Sequence, residues 1–375
     1  MFKKFNNKVF ECLNKQHNIF VLVGNGFDIS ILKKYKKGRM SGKATSYIDF
    51  YDYITYYNLS NDSNILYKKM KEGKNCGKEN WSDFENIISR LINKRESTIE
   101  EIKRAMFEFQ GHFTMFLNEL VDSDTLLELN KDASEKNLSK QSLGEFLKDL
   151  DDSNKVKFTK KIYHYDLFYY VVANFNYTSL LDNYLYLDKL QFDPHWHRTV
   201  DTNFYFKPKL NSNNESNPTE YSSYILTDII HPHGIQDIPR SILFGIDLPE
   251  YDKGNSREKE LVKGYWSQYD TKYKSYMEEA ELFIIYGMSL GVTDAWWMDQ
   301  IFEAILERGA ELIIYRYGSE SKDSIKELFI DCCIRHKDDS EEKKNKVKNN
   351  IYVVVFEKND TYFLGLEDKN RNNLS

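Results

Sequence analysis

The stretch Asn18-Ile19-Phe20-Val21-Leu22-Val23-Gly24-Asn25-Gly26-Phe27-Asp28 sets the expectation for the fold. The run over 18–23 is too short for a helix and stops at a glycine pair, so it reads as a buried strand entering a tight turn. The same pattern recurs three times. An apolar run over 167–175 ends in Asn174-Phe175-Asn176-Tyr177-Thr178, and another over 225–230 ends in His231-Pro232-His233-Gly234. A third, 282–286, ends in Gly287-Met288-Ser289-Leu290-Gly291-Val292-Thr293-Asp294. Strands stop this way where an open parallel sheet turns its carboxyl ends toward a ligand. Four such ends meeting at one crevice would make a site.

Working outward, further strands are expected at 241–244, 311–315 and 351–356. A basic loop over 33–43 leads to Thr45 or Ser46, either of which can cap a helix. From 81 to 120 the apolar spacing is helical, with Ser82 and Glu85 read as a capping box. Helices are also expected from about 142, over 180–187 (capped by Thr178), and over 255–280, 294–307 and 321–335. Strands alternating with helices imply an α/β protein, a Rossmann-like, mostly parallel sheet flanked by helices. The expected organisation is one nucleotide-binding domain over 1–375. A helical insertion over 60–165 follows the first βα unit, and a flexible surface loop covers 207–220.

A chain of 375 residues with 41% apolar and 15% aromatic side chains has material for a large core, so extended disorder is not expected. The net charge of −6 comes with scattered basic residues, which argues against nucleic acid as the main partner. Cys12, Cys76, Cys332 and Cys333 form no Cys-x-x-Cys pair, the pattern of a reduced protein without a thiolate metal site. The N-terminal region has no apolar stretch of signal-peptide length, and the longest strand runs are too short for a bilayer. A cytoplasmic location is the expectation, with no membrane partner.

Each strand end carries its own chemistry. Glycines at 24 and 26 would let backbone approach a pyrophosphate, although the third glycine of a dinucleotide fingerprint is absent. Asp28 opposes an anion and is better suited to capping or to a ribose hydroxyl. Asn176 can hold a hydroxyl, a carboxamide or a water; the blander role is satisfying turn backbone. His233 titrates near neutrality and can act as a general base, or can be a packed histidine with one contact. His231 and His233 also form a His-x-His pair without an evident carboxylate–histidine partner motif, and no metal is expected. Gly287-Met288-Ser289-Leu290-Gly291 fits the spacing of a hydrolase nucleophile elbow, but His336 is the sole downstream histidine and stands in a charged context. Asp83 and Glu85 are most simply part of a helix start, with the option of facing the crevice.

In this order and spacing, the pieces resemble the AbiH family of bacterial abortive-infection proteins. They are Gly24-Asn25-Gly26-Phe27-Asp28, 45–50, 81–85, 174–178, His233-Gly234 with 242–247, and 286–291 with Asp294-Ala295-Trp296-Trp297. That pattern is in turn similar to a distant sirtuin-like NAD-binding fold. The resemblance implies catalytic roles for Asn176 and His233. It implies cofactor contacts from Gly24, Asn25, Gly26, Phe27, Asp28, Tyr177, Gly234, Gly287, Ser289, Leu290 and Asp294. The four-cysteine zinc module of deacetylases is missing, which disfavours deacylation.

The expected function is therefore phage defence by an NAD⁺ glycohydrolase that cleaves the nicotinamide–ribose bond, with NAD as substrate or ligand. Two alternatives stand beside it: a module that senses a nucleotide or ADP-ribose without turnover, and a metal-dependent nuclease built on Asp28, Asp83, Glu85 or Asp294. A phage-derived trigger, a partner protein or a homo-oligomer would suit such a role.

Overall fold

The computed structural model describes residues 1–151, 153–188, 202–208, 220–246, 258–291, 294–358 and 360–367. Seven strands form one sheet: β1 (Gln16–Val23), β2 (Leu167–Asn174), β3 (Phe204–Phe206), β4 (Tyr221–Ile230), β5 (Leu282–Tyr286), β6 (Glu311–Tyr317) and β7 (Ile351–Phe356). Their order is β3-β4-β2-β1-β5-β6-β7, and only the edge pair β3–β4 is antiparallel. With β3 set aside, the parallel strands run third, second, first, fourth, fifth, sixth in chain order. This is the doubly wound arrangement, in which the chain leaves β1 in one direction for β2 and β4 and returns beside it for β5. The carboxyl ends of β1 and β5 flank the point of reversal, where a crevice must open because the connections diverge to opposite faces.

Alternation along β1 sorts the two cores. Ile19, Val21 and Val23 join a cluster that includes Phe50, Phe84, Phe109 and Phe113. Phe20 and Leu22 face the other way, toward Trp296, Trp297, Phe302 and Phe329. All eight residues of β2 are buried, as expected for a strand covered on both faces. The first cluster is covered by helices lying between β1 and β2. These are α1 (Gly26–Tyr35), α2 (Tyr47–Tyr56), α3 (Ile65–Asn75), α4 (Phe84–Lys94), α5 (Ile99–Leu120), α6 (Ser123–Glu135) and α7 (Leu138–Glu145). After β2 come α8 (Leu180–Leu185), then α9 (Lys263–Ser267), α10 (Tyr269–Lys272) and α11 (Lys274–Glu279) before β5. The second face is covered by α12 (Ala295–Arg308), α13 (Lys322–Cys332) and α14 (Glu341–Lys348), among others. No helix among the described residues is long and apolar enough to cross a membrane.

Several local expectations are corrected. The basic loop starts later than 33, because α1 continues to Tyr35. Ser82 does not form a box with Glu85: Asp83 is the cap and accepts from Asn86 N. The helical stretch over 81–120 is two helices, separated by Arg95 at φ +54° and restarted by a capping box between Thr98 and Glu101. The helix expected from about 142 starts at Leu138. The cap position of α8 is Ser179, one residue after Thr178; the Thr178 hydroxyl accepts from Leu180 N at a long 3.4 Å and donates to Asp28. Residues 241–244 form no strand: the amides of Ser241, Ile242 and Leu243 donate to Ile238 O, Pro239 O and His233 O in the turn after His233, and the carbonyls of Ile242 and Leu243 accept from the side chains of Gln110 and Tyr177. The helix over 255–280 is broken where Gln268 adopts φ +52°. The short β3 and the highly charged α14 went unread. The loop expected over 207–220 falls mainly on residues 209–219, outside the described residues, as does the possible cap Thr293.

Candidate functional site

The two glycine turns at the reversal point are bonded to each other. Gly24 N donates to Tyr286 O (2.8 Å) and Gly26 N to Gly287 O (2.9 Å). A Cβ on Gly24 would meet Met288 Cγ at 2.7 Å, and one on Gly26 would meet Gly287 Cα at 2.8 Å. Glycine is thus required here because two backbones touch, whereas the sequence pattern pointed to an approaching ligand. Asn25 is also engaged: its amide donates to Thr45 O (3.1 Å) and accepts from the Thr45 hydroxyl. Ser46 begins α2 by accepting from Asp49 N, which fixes the Thr45 segment above the turn.

Beneath the turn, Asp28 is fully buried, and its Oδ2 accepts from Thr178 Oγ1 at 2.7 Å. Burial pushes its carboxyl up to about 7, against the opposing pull of the Thr178 hydroxyl. Its Oδ1 has no hydrogen-bond partner. Asn174 accepts from Asn176 N (3.0 Å) and donates to Thr178 O (3.3 Å), so it holds the loop. Asn176 is 4% exposed, and its buried Nδ2 finds no partner. The two asparagines therefore divide the roles that the sequence left open. Asn174 satisfies turn backbone, and Asn176 presents an unsatisfied donor.

The histidines divide in the same way. His231 turns to Asp182 (3.0 Å) and does not line the cleft. His233 Nε2 lies 3.1 Å from Tyr269 Oη and 3.6 Å from Asp294 Oδ1, with its ring edge-on to Phe175. Burial, and then the Lys263 ammonium, hold the imidazole well below its usual range, so it is neutral at pH 7. Lys263 Nζ is 3.0 Å from Glu85 Oε2, and Gly245 N donates to Glu85 Oε1 (3.2 Å). Burial lowers the lysine, but the Glu85 and Asp294 carboxylates outweigh it and keep the ammonium charged. Burial raises Glu85 and Asp294 in turn, offset by Lys263.

These groups surround one cleft of about 570 Å³, within the range of small-molecule sites. Of the residues singled out from sequence, Gly24, Asn25, Gly26, Asp28, Asn176, Tyr177, His233, Gly287, Ser289 and Asp294 line it, as do Asp83 and Glu85. Phe27, Gly234 and Leu290 do not. Phe27 is core, edge-on to Tyr184. Leu290 is buried at φ +54° among the second cluster. Gly234 has φ +87°, and a Cβ there would collide with the Ser241 carbonyl, so the residue is needed for the turn that aims His233. Asp294 precedes α12 without a side-chain cap bond, which leaves its carboxylate to the cleft. Lys263, Tyr47, Tyr269, Arg316 and Tyr317 were missed. Tyr47 lies in the 45–50 segment, which marks only a helix start and the family resemblance; Lys263 and Tyr269 fall in a run with helical spacing, and Arg316 and Tyr317 lie just past the strand expected over 311–315. Among the described residues no group of three or more His, Cys, Asp or Glu side chains is placed to hold a metal ion.

A family model described as bacteriophage abortive infection AbiH matches residues 20–316. The chain belongs to the AbiH family. The match opens inside β1 and closes at Arg316, so it contains every cleft-lining residue except Tyr317. Membership in AbiH supports a role in abortive infection by bacteriophage. No curated protein matches the chain. No solved structure matches it either.

Proposed function

We propose that this AbiH protein binds a nicotinamide dinucleotide in the cleft and hydrolyses its nicotinamide–ribose bond. The observation that carries the reading is the position of Asn176 and His233. Both stand at the carboxyl ends of a doubly wound sheet, beside its reversal point, in a cleft of nucleotide dimensions. In the reaction the C1′–N bond breaks and its electron pair leaves with neutral nicotinamide. Water then closes on C1′ and loses one proton, giving ADP-ribose. The unpaired Nδ2 of Asn176 is suited to hold a ribose hydroxyl or that water. With its Nε2–H donated to Tyr269, the neutral His233 carries a lone pair on Nδ1 that can receive the proton. Asp294, 3.6 Å from the ring, would stabilise the imidazolium and the cationic sugar.

Loss of the dinucleotide would halt host metabolism before phage release, which is how such an activity would serve abortive infection. A sensing module without turnover is favoured by one observation, the strongly depressed basicity of His233. The deciding experiment follows nicotinamide release by the purified full chain, with and without extract from phage-infected cells, beside calorimetry with NAD⁺. Release that disappears in Asn176→Ala supports the hydrolase. Binding without release supports the sensor, and absence of both removes the dinucleotide reading.

A further inference from the structure

A dinucleotide brings two phosphates, and the expected backbone cradle for them is already occupied. The amides of Gly24 and Gly26 donate to Tyr286 O and Gly287 O, and the space a ligand would need is filled by Gly287 and Met288. The cleft wall also carries the acidic groups Asp28, Asp83, Glu85 and Asp294, and its Lys263 is held by Glu85 at 3.0 Å. Arg316, at the end of β6, is placed differently. Its Nη1 reaches Met288 O at a long 3.4 Å, and Nη2 meets Glu320 at 2.9 Å across a half-exposed i,i+4 pair. Its Nε is buried without a partner. The fold thus leaves one buried guanidinium N–H unmatched, and an ion pair partly open to solvent contributes little. A phosphate gripped by the Nη edge of the guanidinium would readily displace that ion pair. The neighbouring Tyr317 lines the same cleft, is 61% exposed, and is held at 79° to Phe356. Aromatic faces of this kind take nucleobases by stacking.

Resting on the dinucleotide reading, we infer that Arg316 is the phosphate-holding residue of this cleft and Tyr317 its base platform. The ligand then runs from the end of β6, where its phosphates and base sit, inward to a ribose at Asn176. Its chemical class is a nucleoside diphosphate extended by a second sugar. Phosphate recognition comes from a side chain on β6, with no contribution from the glycine turn after β1.

The test is calorimetry of ADP-ribose and of adenosine on the full chain as wild type, Arg316→Gln, Arg316→Lys and Tyr317→Ala. The wild type should bind ADP-ribose with an affinity that falls as salt rises. Arg316→Gln should weaken ADP-ribose by about tenfold or more, close to 1.4 kcal/mol, remove most of the salt dependence and leave adenosine unchanged. Tyr317→Ala should weaken both ligands and keep the salt dependence. Should Arg316→Gln fail to fold, Arg316→Lys carries the decision: a drop for ADP-ribose alone supports the assignment, and no drop overturns it. Wild-type affinity for ADP-ribose retained in Arg316→Gln overturns the assignment while leaving the dinucleotide reading intact. A wild type that binds neither ADP-ribose nor NAD⁺ overturns both.

Discussion

The two ends of the sheet hold the same kinds of side chain in opposite conditions. At the amino-terminal edge, His17 is fully buried between Asp166 (3.0 Å) and Glu281 (3.4 Å). Asp166 also accepts from Asn14 Nδ2 and Tyr163 N, so both ring nitrogens of His17 and both carboxylate oxygens of Asp166 are matched. At the carboxyl edge, His233 meets one phenol and a distant carboxylate, and Asp28, Asn176, Asp294 and Arg316 each keep a buried atom without a hydrogen-bond partner. Burial alone would lower both imidazoles. At His17 the two carboxylates outweigh it and raise the pKa, while at His233 Lys263 adds to the depression. Satisfied buried polar groups hold a fold together; unsatisfied ones are unfavourable for the fold, and a cluster of them around one cleft marks a place that a ligand can complete. The contrast separates a structural histidine from a candidate functional one on the same sheet.

The largest effect should separate the two ends by activity. If the cleft hydrolyses NAD⁺, Asn176→Ala or His233→Ala should lower turnover by about 10²- to 10⁴-fold, whereas His17→Gln leaves the rate unchanged at temperatures where the protein is folded. Equal losses from both ends in a nicotinamide-release assay would dissolve the comparison.

Stability should show the reverse. Removing one partner from a buried pair costs about 3–5 kcal/mol, so His17→Gln should shift the urea midpoint strongly. Because the folded imidazole is raised, its contribution is fully present below the unfolded value near 6.5 and is lost as pH rises through the higher folded value. A mutant that parallels the wild type across that window would show that His17 is not charged.

Gly26→Ala should cost about 1–3 kcal/mol through overpacking against Gly287 and should impair the cleft as well, since the two turns shift together. A silent substitution would mean that the turns are separable.

The effect confined to the narrowest conditions, a single pH window, concerns Asp28. Its folded carboxyl holds a proton to about 7, while an unfolded aspartate releases it near 3.9. The folded state therefore binds more protons in that window, and wild-type stability declines as pH rises through it and levels off above. Asp28→Asn should remove that slope in urea titrations at several pH values. A slope that persists would place the ionised form in the native protein.

Much of the sheet was legible because parallel strands buried on both faces are continuous apolar runs, and 282–286 and 351–356 were bounded to the residue. The run over 255–280 misled because aromatic residues keep a helical rhythm across Gln268, and spacing does not register one left-handed residue. Glu85 looked like half of a capping box; its partner Lys263 lies 178 residues away, which no local pattern encodes. At the site, the strand ends identified the region, and the contacts assigned the roles within it.

By itself, the sequence determined the alternation of strands and helices, the four polar strand ends and the family resemblance, since all of these are written in local spacing and residue type. The tertiary structure alone decided that Gly24, Gly26 and Gly287 face one another, that Asn174 is engaged while Asn176 is free, and that Lys263 and Arg316 reach the cleft. Those outcomes depend on which distant backbone arrives beside a residue, and hydrogen-bond satisfaction and burial exist only once it has arrived.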